Sequence, residues 1–296
     1  MRYRFLRFPG GKPKAVTFSY DDGCIHDLRL SDIFEKYGMK GTFNLNGEKF
    51  VGSSGEKPTK EQVKEYILDR GHEIAIHGYY HRANGRLRNI EGIKDVLDCR
   101  VELENKYDII VRGMAYPDSG VRDLHNGGNY DDIKQYLTQL DVAYVRTAAY
   151  YRPHNDPTRF HLPTDWHKWE PGIYHGDPNA DHYIDTFLNF YKDAGNCYSI
   201  RPPQVCYIHG HSYEFDRANN WELMEHICER LSNQEDVWYA TNIEIYDYVK
   251  AYDSLIFSAD GHTVYNPSAK TIWFVVDNTP YCVKPDETIK IEHQVL

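Results

Sequence analysis

The sequence contains no long apolar run and no cluster of basic residues. A helix that spans a membrane needs about 20 consecutive apolar residues, and no stretch of the 296 residues approaches that length. The formal net charge is −10, the isoelectric point is near 5.8, and no run of Lys and Arg offers a binding surface for phosphates. These absences argue against a membrane-spanning protein, an anionic-membrane partner and a nucleic-acid-binding protein.

Closely spaced cysteines are also missing, because none of the six forms a C-x-x-C pair. Scattered cysteines are most often buried, reduced thiols, and disulfides or a cysteine metal site are the weaker alternatives. Residues 1–8 are basic but lack the apolar core of a signal peptide. We therefore expect a cytoplasmic protein, unless a leader has been removed. The cysteines are Cys24, Cys99, Cys197, Cys206, Cys228 and Cys282.

Apolar residues make up 41% of the chain and aromatic residues 14%, which is the composition of a folded globular protein. The 25 tyrosines admit two interpretations. They can pack in the core and at interfaces, or they can form a sugar-binding surface on which flat rings stack. Composition alone favours packing, and it excludes a disordered chain.

Short apolar runs alternate with helical patterns over most of the chain. This alternation predicts repeated β-α units, and therefore an α/β fold with a parallel sheet or barrel. The predicted strands cover residues 15–20, 41–45, 73–76, 111–116, 142–147 and 205–208. The predicted helices cover residues 26–37, 59–70, 90–107, 131–140, 181–193, 221–231 and 242–252.

The pattern changes after residue 253. Short β-type runs follow one another, separated by turn sequences such as Asp260-Gly261 and Asn266-Pro267. We therefore predict an α/β domain over residues 1–253 and a small β-rich segment over residues 254–296. So short a segment is expected to pack against the main domain, and a separate sugar-binding module is the alternative.

Residues with metal-binding chemistry follow two of the predicted strands. Asp21 and Asp22 follow the first strand, and His77 and His81 follow the strand at 73–76. Adjacent carboxylates repel each other unless a cation lies nearby, although an Asp-Gly turn is the plainer interpretation. Histidines four residues apart can face one ion, but this spacing also arises by chance. Together the two pairs offer a carboxylate and two imidazoles, the composition of a catalytic zinc site.

Two further histidines, His209 and His211, follow the predicted strand at 205–208. A histidine here could act as a general acid, because its ordinary pKa lies near working pH. A buried structural histidine is the alternative. In extended backbone the two side chains face the same side, so both could line one site.

The motifs resemble those of the polysaccharide deacetylases, a family of carbohydrate esterases that act on chitin, peptidoglycan or xylan. The family's first motif, TFDDG, is similar to TFSYDDG at residues 17–23, which is two residues longer. Its second motif, H-[ST]-x-x-H, is similar to HGYYH at residues 77–81, in which glycine replaces Ser or Thr. The resemblance covers roughly residues 13–250 and implies a distorted (β/α) barrel.

The resemblance implies a role for each matched residue. Asp22, His77 and His81 would hold a divalent cation, with zinc as the default and Co²⁺, Ni²⁺ or Mn²⁺ as alternatives. Asp21 would be the general base towards a metal-activated water. His211, or else His209, would be the general acid for the leaving group. The implied reaction removes acetyl groups from an N- or O-acetylated saccharide.

The family's third motif, RPPYG, is similar to AYPDSG at residues 115–120, which has Ala115 in place of the arginine. That arginine orients the catalytic base in the family, and Arg112, Arg122 and Arg146 are the candidates to replace it. The backbone N–H near Asp118 is expected to stabilise the oxyanion, since that role needs no particular side chain.

Three residues are expected to contact the substrate: Tyr116 and Asp118 in this segment, and Trp166. Asp165-Trp166 resembles the family's fourth motif, in which the tryptophan forms a wall beside the acetyl group. A packing role for Trp166 is the alternative.

Two other functions remain open at this point. A metal-dependent amidohydrolase that acts on a small amide would use the same ligands, and a non-catalytic carbohydrate-binding protein would fit the missing arginine. An open groove would favour an oligosaccharide, whereas a closed pocket would favour a small molecule.

Overall fold

The computed structural model describes residues 3–47, 55–148, 152–190, 202–277 and 279–292. Its strands are β1 Arg4–Arg7, β2 Lys14–Asp21, β3 Gly41–Leu45, β4 Glu73–Ile76, β5 Gly113–Ala115, β6 Tyr144–Arg146, β7 Ile173–Tyr174, β8 Gln204–Gly210, β9 Val237–Tyr239, β10 Ile256–Phe257, β11 Thr263–Tyr265, β12 Ile272–Val276, β13 Thr279–Val283 and β14 Thr288–Lys290. Its α-helices are α1 His26–Tyr37, α2 Lys60–Val63, α3 Asn89–Tyr107, α4 Tyr130–Gln139, α5 Ala180–Asn189, α6 Ser212–Ala218, α7 Trp221–Leu231 and α8 Asn242–Asp253.

The main sheet is parallel and has the strand order β6-β5-β4-β3-β2-β8-β7, with β9 paired to the first half of β2. Its two edges approach each other, because Trp169 donates its N–H to the Val145 carbonyl, 2.9 Å away, and accepts one from Thr147, 3.0 Å away. The chain then continues into β7, which pairs with β8. The sheet is therefore curled into a distorted (β/α) barrel, which confirms the predicted fold class.

Both faces of the sheet strands are buried, but they differ in chemistry. On β2, Phe18 and Tyr20 face the surrounding helices within the large apolar cluster. Thr17, Ser19 and Asp21 face the barrel interior and make polar contacts there. Since strand residues alternate between faces, the interior is lined by polar side chains from neighbouring strands. This polar interior carries the candidate site.

The start of helix α8 closes one end of the interior. Asn242 accepts a hydrogen bond from the Thr17 hydroxyl at 2.8 Å, and its amide donates to the Tyr207 hydroxyl. The Glu73 carboxylate accepts hydrogen bonds from the Ile243 N–H at 2.9 Å and the Tyr144 hydroxyl at 2.7 Å. This network fills the end of the barrel at which the strands begin. The candidate site therefore lies at the opposite end, where the strands end.

The C-terminal strands are antiparallel and form two small sheets, β1-β12-β13 and β10-β11-β14. Strand β1, from the amino terminus, pairs with β12 through contacts such as Arg4 with Val276. Strand β1 was not predicted from the sequence, because its pairing partner lies far along the chain. The proposed division at residue 253 stays a prediction, as does the cytoplasmic location.

Several predicted elements differ from the structure in their ends. The strands expected at 111–116 and 142–147 are shorter, and the helix expected at 59–70 ends in a π-helical turn, Lys64–Leu68. Strands β7 and β9 and helix α6 were not predicted, because they are short and depend on tertiary pairing. The helix expected at 181–193 ends at Asn189, and residues 191–193 lie outside the described residues.

The described cysteines are free thiols, as the sequence indicated. Four of them are buried (Cys24, Cys99, Cys206 and Cys228) and Cys282 is exposed, whereas Cys197 lies outside the described residues. Across the described ranges, no helix combines the length and the apolar character needed to cross a membrane.

Candidate active site

The predicted metal ligands lie together where strands β2 and β4 end. The Asp22 Oδ1 atom is 3.4 Å from His81 Nε2 and 3.7 Å from His77 Nε2. One ligand atom from each residue lies within 4.8 Å of the others. Around a tetrahedral zinc with bonds of about 2.0–2.1 Å, ligand atoms are roughly 3.3 Å apart. The three residues are therefore spaced as ligands of one ion.

The hydrogen bonds of His77 and Asp22 leave one ligand atom available on each of these two residues. His77 Nδ1 lies 3.0 Å from the Ala115 carbonyl, which can only accept, so the ring proton is on Nδ1 and the lone pair is on Nε2. Burial lowers the pKa of His77, which favours the neutral, ligating form. Asp22 Oδ1 is buried and accepts no hydrogen bond from any described residue. A buried, unsatisfied carboxylate oxygen facing two imidazoles fits a cation.

The backbone at Asp22 is adapted to this position. Asp22 has a φ of 76°, in the left-handed region that few residues other than glycine adopt. Gly23 follows with a φ of 63°, and a Cβ there would lie 2.7 Å from the Leu45 side chain. This turn points the Asp22 carboxylate towards His77 and His81. Backbone strain of this kind is concentrated at functional sites.

The loop between His77 and His81 is held by Asp95, from helix α3. Its carboxylate accepts hydrogen bonds from the N–H groups of Tyr79 and Tyr80, at 3.0 and 2.9 Å. Gly78 has a φ of 75°, and a Cβ there would lie 2.7 Å from the Asp95 carboxylate. Glycine thus replaces the Ser or Thr of the second motif because Asp95 occupies the space of a side chain.

Asp21 is held on both of its carboxylate oxygens. Arg146 Nη2, from β6, donates to Oδ2, and the Asn44 side-chain amide, from β3, donates to Oδ1 at 2.8 Å. Burial alone would raise the pKa of Asp21, but Arg146 and the nearby histidines hold it well below its usual range. Asp21 is therefore an ionised, oriented carboxylate beside the ligand cluster, as a general base requires.

His211 lies beside Asp21, with its Nε2 3.9 Å from Asp21 Oδ2. On its other side, Glu214 Oε1 is 3.4 Å from His211 Nδ1, and Glu214 Oε2 is 3.0 Å from His175 Nε2. Burial opposes the charged form of His211, but the carboxylates of Glu214 and Asp21 raise its pKa above the usual value. The two carboxylates thus favour the protonated form of His211.

His209 is in a different environment, although it lies only two residues before His211, near the end of β8. Its Nδ1 lies 3.1 Å from Arg146 Nη1, and the side chain is only 4% exposed. Burial and the Arg146 charge lower the pKa of His209 well below its usual value. Of the two candidate acids, only His211 lies in surroundings that favour the protonated form, and its role stays a prediction.

The three expected substrate-binding residues do not all lie at the ligand cluster. Asp118 lies in the loop after β5, with a φ of 50° and an ion pair to Arg86 at 3.2 Å. The Tyr116 side chain is buried in the apolar cluster outside the barrel, so it does not face the ligand cluster. The Trp166 ring packs on Trp169 and Tyr246, 5.0 Å away in each case. These contacts do not bring Trp166 together with the ligands.

Four residues that the sequence analysis did not assign complete the site: Asn44, Asp95, Arg146 and Glu214. Arg146 was one of three candidates, and only its contact with Asp21 distinguishes it from Arg112, which pairs with Asp247 at 3.0 Å. Glu214 had a local signal, because it lies three residues after His211 and accepts a hydrogen bond from its N–H at 3.1 Å. Asn44 and Asp95 had no such signal.

The chain is similar to a known protein family in sequence and to solved structures in fold. The family model for polysaccharide deacetylases matches residues 9–145. A protein from Mycobacterium smegmatis assigned as a polysaccharide deacetylase has 17% identity and a TM-score of 0.56, over 84% of this chain and 94% of that chain. No curated protein sequence matches the chain.

Two further solved structures are more distant. The peptidoglycan deacetylase PdaC from Bacillus subtilis has 16% identity and a TM-score of 0.45, over 82% of this chain and 94% of that chain. The CE4 family pseudoenzyme BA3943 from Bacillus anthracis has 16% identity and a TM-score of 0.42, over 82% and 68%. The matched segment, residues 9–145, contains Asp21, Asp22, His77 and His81, and this segment belongs to the polysaccharide deacetylase family.

Proposed function

We propose that this protein is a metal-dependent deacetylase of N- or O-acetylated carbohydrate. The observation that carries the proposal is the position of the Asp22, His77 and His81 cluster beside the Asp21 carboxylate, with His77 Nε2 3.9 Å from Asp21 Oδ2. Ligands and base are thus close enough to act on one bound acetyl group.

Asp22, His77 and His81 would hold the ion, which when bound polarises the acyl carbonyl and makes water more acidic. Zinc is the expected ion for two imidazoles and a carboxylate, with Co²⁺, Ni²⁺ and Mn²⁺ as alternatives. Three protein ligands leave room for water or substrate, as in catalytic zinc sites.

Asp21 accepts the proton of the attacking water, and Arg146 and Asn44 hold its carboxylate in place while it does so. His211 gives a proton to the departing amine or alcohol of the sugar. The two residues have opposite pKa shifts, which favour the ionised form of Asp21 and the protonated form of His211. Such a pair divides the roles of base and acid at neutral pH.

The backbone N–H near Asp118 is the proposed donor to the oxyanion. Asp118 follows β5, and the Ala115 carbonyl at the end of that strand contacts the ligand His77. The loop therefore begins next to the ligand cluster. A backbone donor suits a developing oxyanion because it requires no particular side chain.

Arg146 bears on the alternative of a non-catalytic protein. That alternative was suggested by Ala115 in place of the third-motif arginine, and here an arginine from another strand contacts the base. The chain thus keeps the cation beside Asp21 that the family motif would supply.

Acetate release tests the proposal. The protein is stripped with a chelator, reloaded with Zn²⁺ or Co²⁺, and assayed on a panel of acetylated chito- and xylo-oligosaccharides. We expect metal to restore release, and the preferred oligosaccharide to define the substrate. A protein that binds metal but releases acetate from no member of the panel contradicts the proposal and supports the amidohydrolase or the binding protein.

A further inference from the structure

His209 lies in the barrel interior and is linked to the proposed base through Arg146. It follows Tyr207 on the inward face of β8, and its register partner on β2 is Ser19. The ring of Tyr174, at the end of β7, lies 5.7 Å from the His209 ring. His209 therefore lies one step deeper in the barrel than His211.

Arg146 fixes the proton positions on His209. The guanidinium has only donors and stays charged, so His209 Nδ1, 3.1 Å from Nη1, must accept the hydrogen bond. If the ring were a charged imidazolium, its Nδ1–H would point at the N–H of Arg146, and no hydrogen bond could form. His209 is therefore the neutral imidazole with its proton on Nε2.

The Nε2–H group has no partner in the described part of the chain. The atom is buried and makes no hydrogen bond with any described residue. Buried polar atoms in folded proteins are nearly always satisfied by protein, water or ligand. The same guanidinium contacts both His209 and Asp21, so one side chain links the His209 ring to the proposed base.

We infer that His209 is a substrate-binding residue whose Nε2–H donates a hydrogen bond to an uncharged oxygen of the carbohydrate, a hydroxyl or the acyl oxygen. The inference rests on the proposed function and deepens it. Because Nδ1 is held by Arg146 and the ring is neutral, His209 transfers no proton, and the acid role stays with His211. A neutral donor pairs with a sugar oxygen but not with a protonated amine.

The tautomer is measured first, without substrate. Nitrogen-15 spectra of the zinc-loaded protein, labelled in histidine, are compared between the wild type and His209→Phe to assign the His209 signals. We expect a protonated Nε2 and an unprotonated Nδ1. A charged ring, or a proton on Nδ1, would overturn the inference whether or not the protein is active.

Kinetics then test the contact with substrate. His209→Phe keeps a flat ring but removes the donor, and we expect its KM to rise about tenfold or more with a smaller change in kcat. His209→Gln keeps an N–H near the position of Nε2 and should recover most of the loss. The acidic limb of the pH profile should stay in place, because it reports on Asp21.

Two results would separate this inference from the proposed function. If the wild type releases acetate and His209→Phe has an unchanged KM, the His209 assignment is wrong and the deacetylase remains. If the wild type releases none, the proposed function fails, and with it the substrate contact. In Asp21→Asn, which should bind substrate without turnover, adding the preferred oligosaccharide should shift the Nε2–H signal; an unshifted signal counts against the contact.

Discussion

The Arg146 guanidinium, on strand β6, donates a hydrogen bond to the Asp21 carboxylate at the end of strand β2. Strands β5, β4 and β3 separate these two strands in the sheet, so the contact crosses the barrel interior. A second nitrogen of the same group reaches His209 on β8. One side chain thus connects three strands at the site. It also places a positive charge beside Asp21, although Ala115 stands where the family's third motif has an arginine.

Removal of this cation should change the pH dependence of catalysis. In Arg146→Met, the pKa of Asp21 should rise by roughly 1–3 pH units, because an adjacent arginine lowers a carboxyl pKa by that amount. The base is active when ionised, so the acidic limb of kcat/KM should move up in pH by the same amount. Arg146→Lys should move it less. Arg112→Met, which removes a cation paired with Asp247, is the control and should leave the limb unchanged.

Substitutions at the two adjacent aspartates should have different effects. Asp22→Ala should lose metal and activity together, because it removes a ligand. Asp21→Asn should retain metal and lose roughly 10²–10⁴-fold in kcat, the usual contribution of a general base. Metal content by mass spectrometry and acetate release measure both effects. Full activity in Asp21→Asn contradicts the assignment of Asp21 as the base.

Glu214 should set the alkaline limb of the pH profile. Its carboxylate raises the pKa of His211, and the active form of His211 is protonated, so activity is lost as pH rises through that pKa. In Glu214→Gln the pKa of His211 should fall, and the alkaline limb of kcat should move to lower pH. Glu222→Gln, an exposed change on helix α7, is the matched control. An alkaline limb that does not move in Glu214→Gln would assign the acid elsewhere.

Glu73 should make stability depend on pH. Burial raises its pKa from 4.5 to about 7, so the folded state favours the protonated form. The contribution of Glu73 to the free energy of unfolding is fully present below pH 4.5 and is lost as the pH rises through about 7. The change is on the order of 3 kcal/mol. The free energy of unfolding by urea, measured from pH 4.5 to 8, should fall relative to Glu73→Gln over this window. A constant difference between the two proteins would show that Glu73 is not protonated in the folded state.

Much of the site could be predicted because its ligands lie in local motifs. Asp21 and Asp22 lie at the end of β2, and His77 and His81 lie in the loop after β4. Parallel strands bring their carboxyl ends to one edge of the sheet. The apolar runs also placed the central strands well, with β3 and β4 matching their predicted limits. These features can be predicted because one short stretch of sequence specifies each strand together with the turn that follows it.

The residues that complete the site could not be found in the same way. Asn44 was predicted only as part of a buried strand, because full burial on both faces hides which residues point into the barrel. Trp166 resembled a groove residue by motif, yet its ring packs on Trp169 and Tyr246. Sequence position alone does not determine which side of a curled sheet a loop covers.

The sequence by itself determined the α/β class, the ligand motifs and the order in which the strands present them. Only the tertiary structure decided that Arg146 serves Asp21, that His211 and not His209 is in the environment of an acid, and that β1 pairs with β12. The physical reason is the range of the interactions. Turns and strands form between near neighbours in the chain, whereas these contacts require the sheet to curl and bring distant segments together.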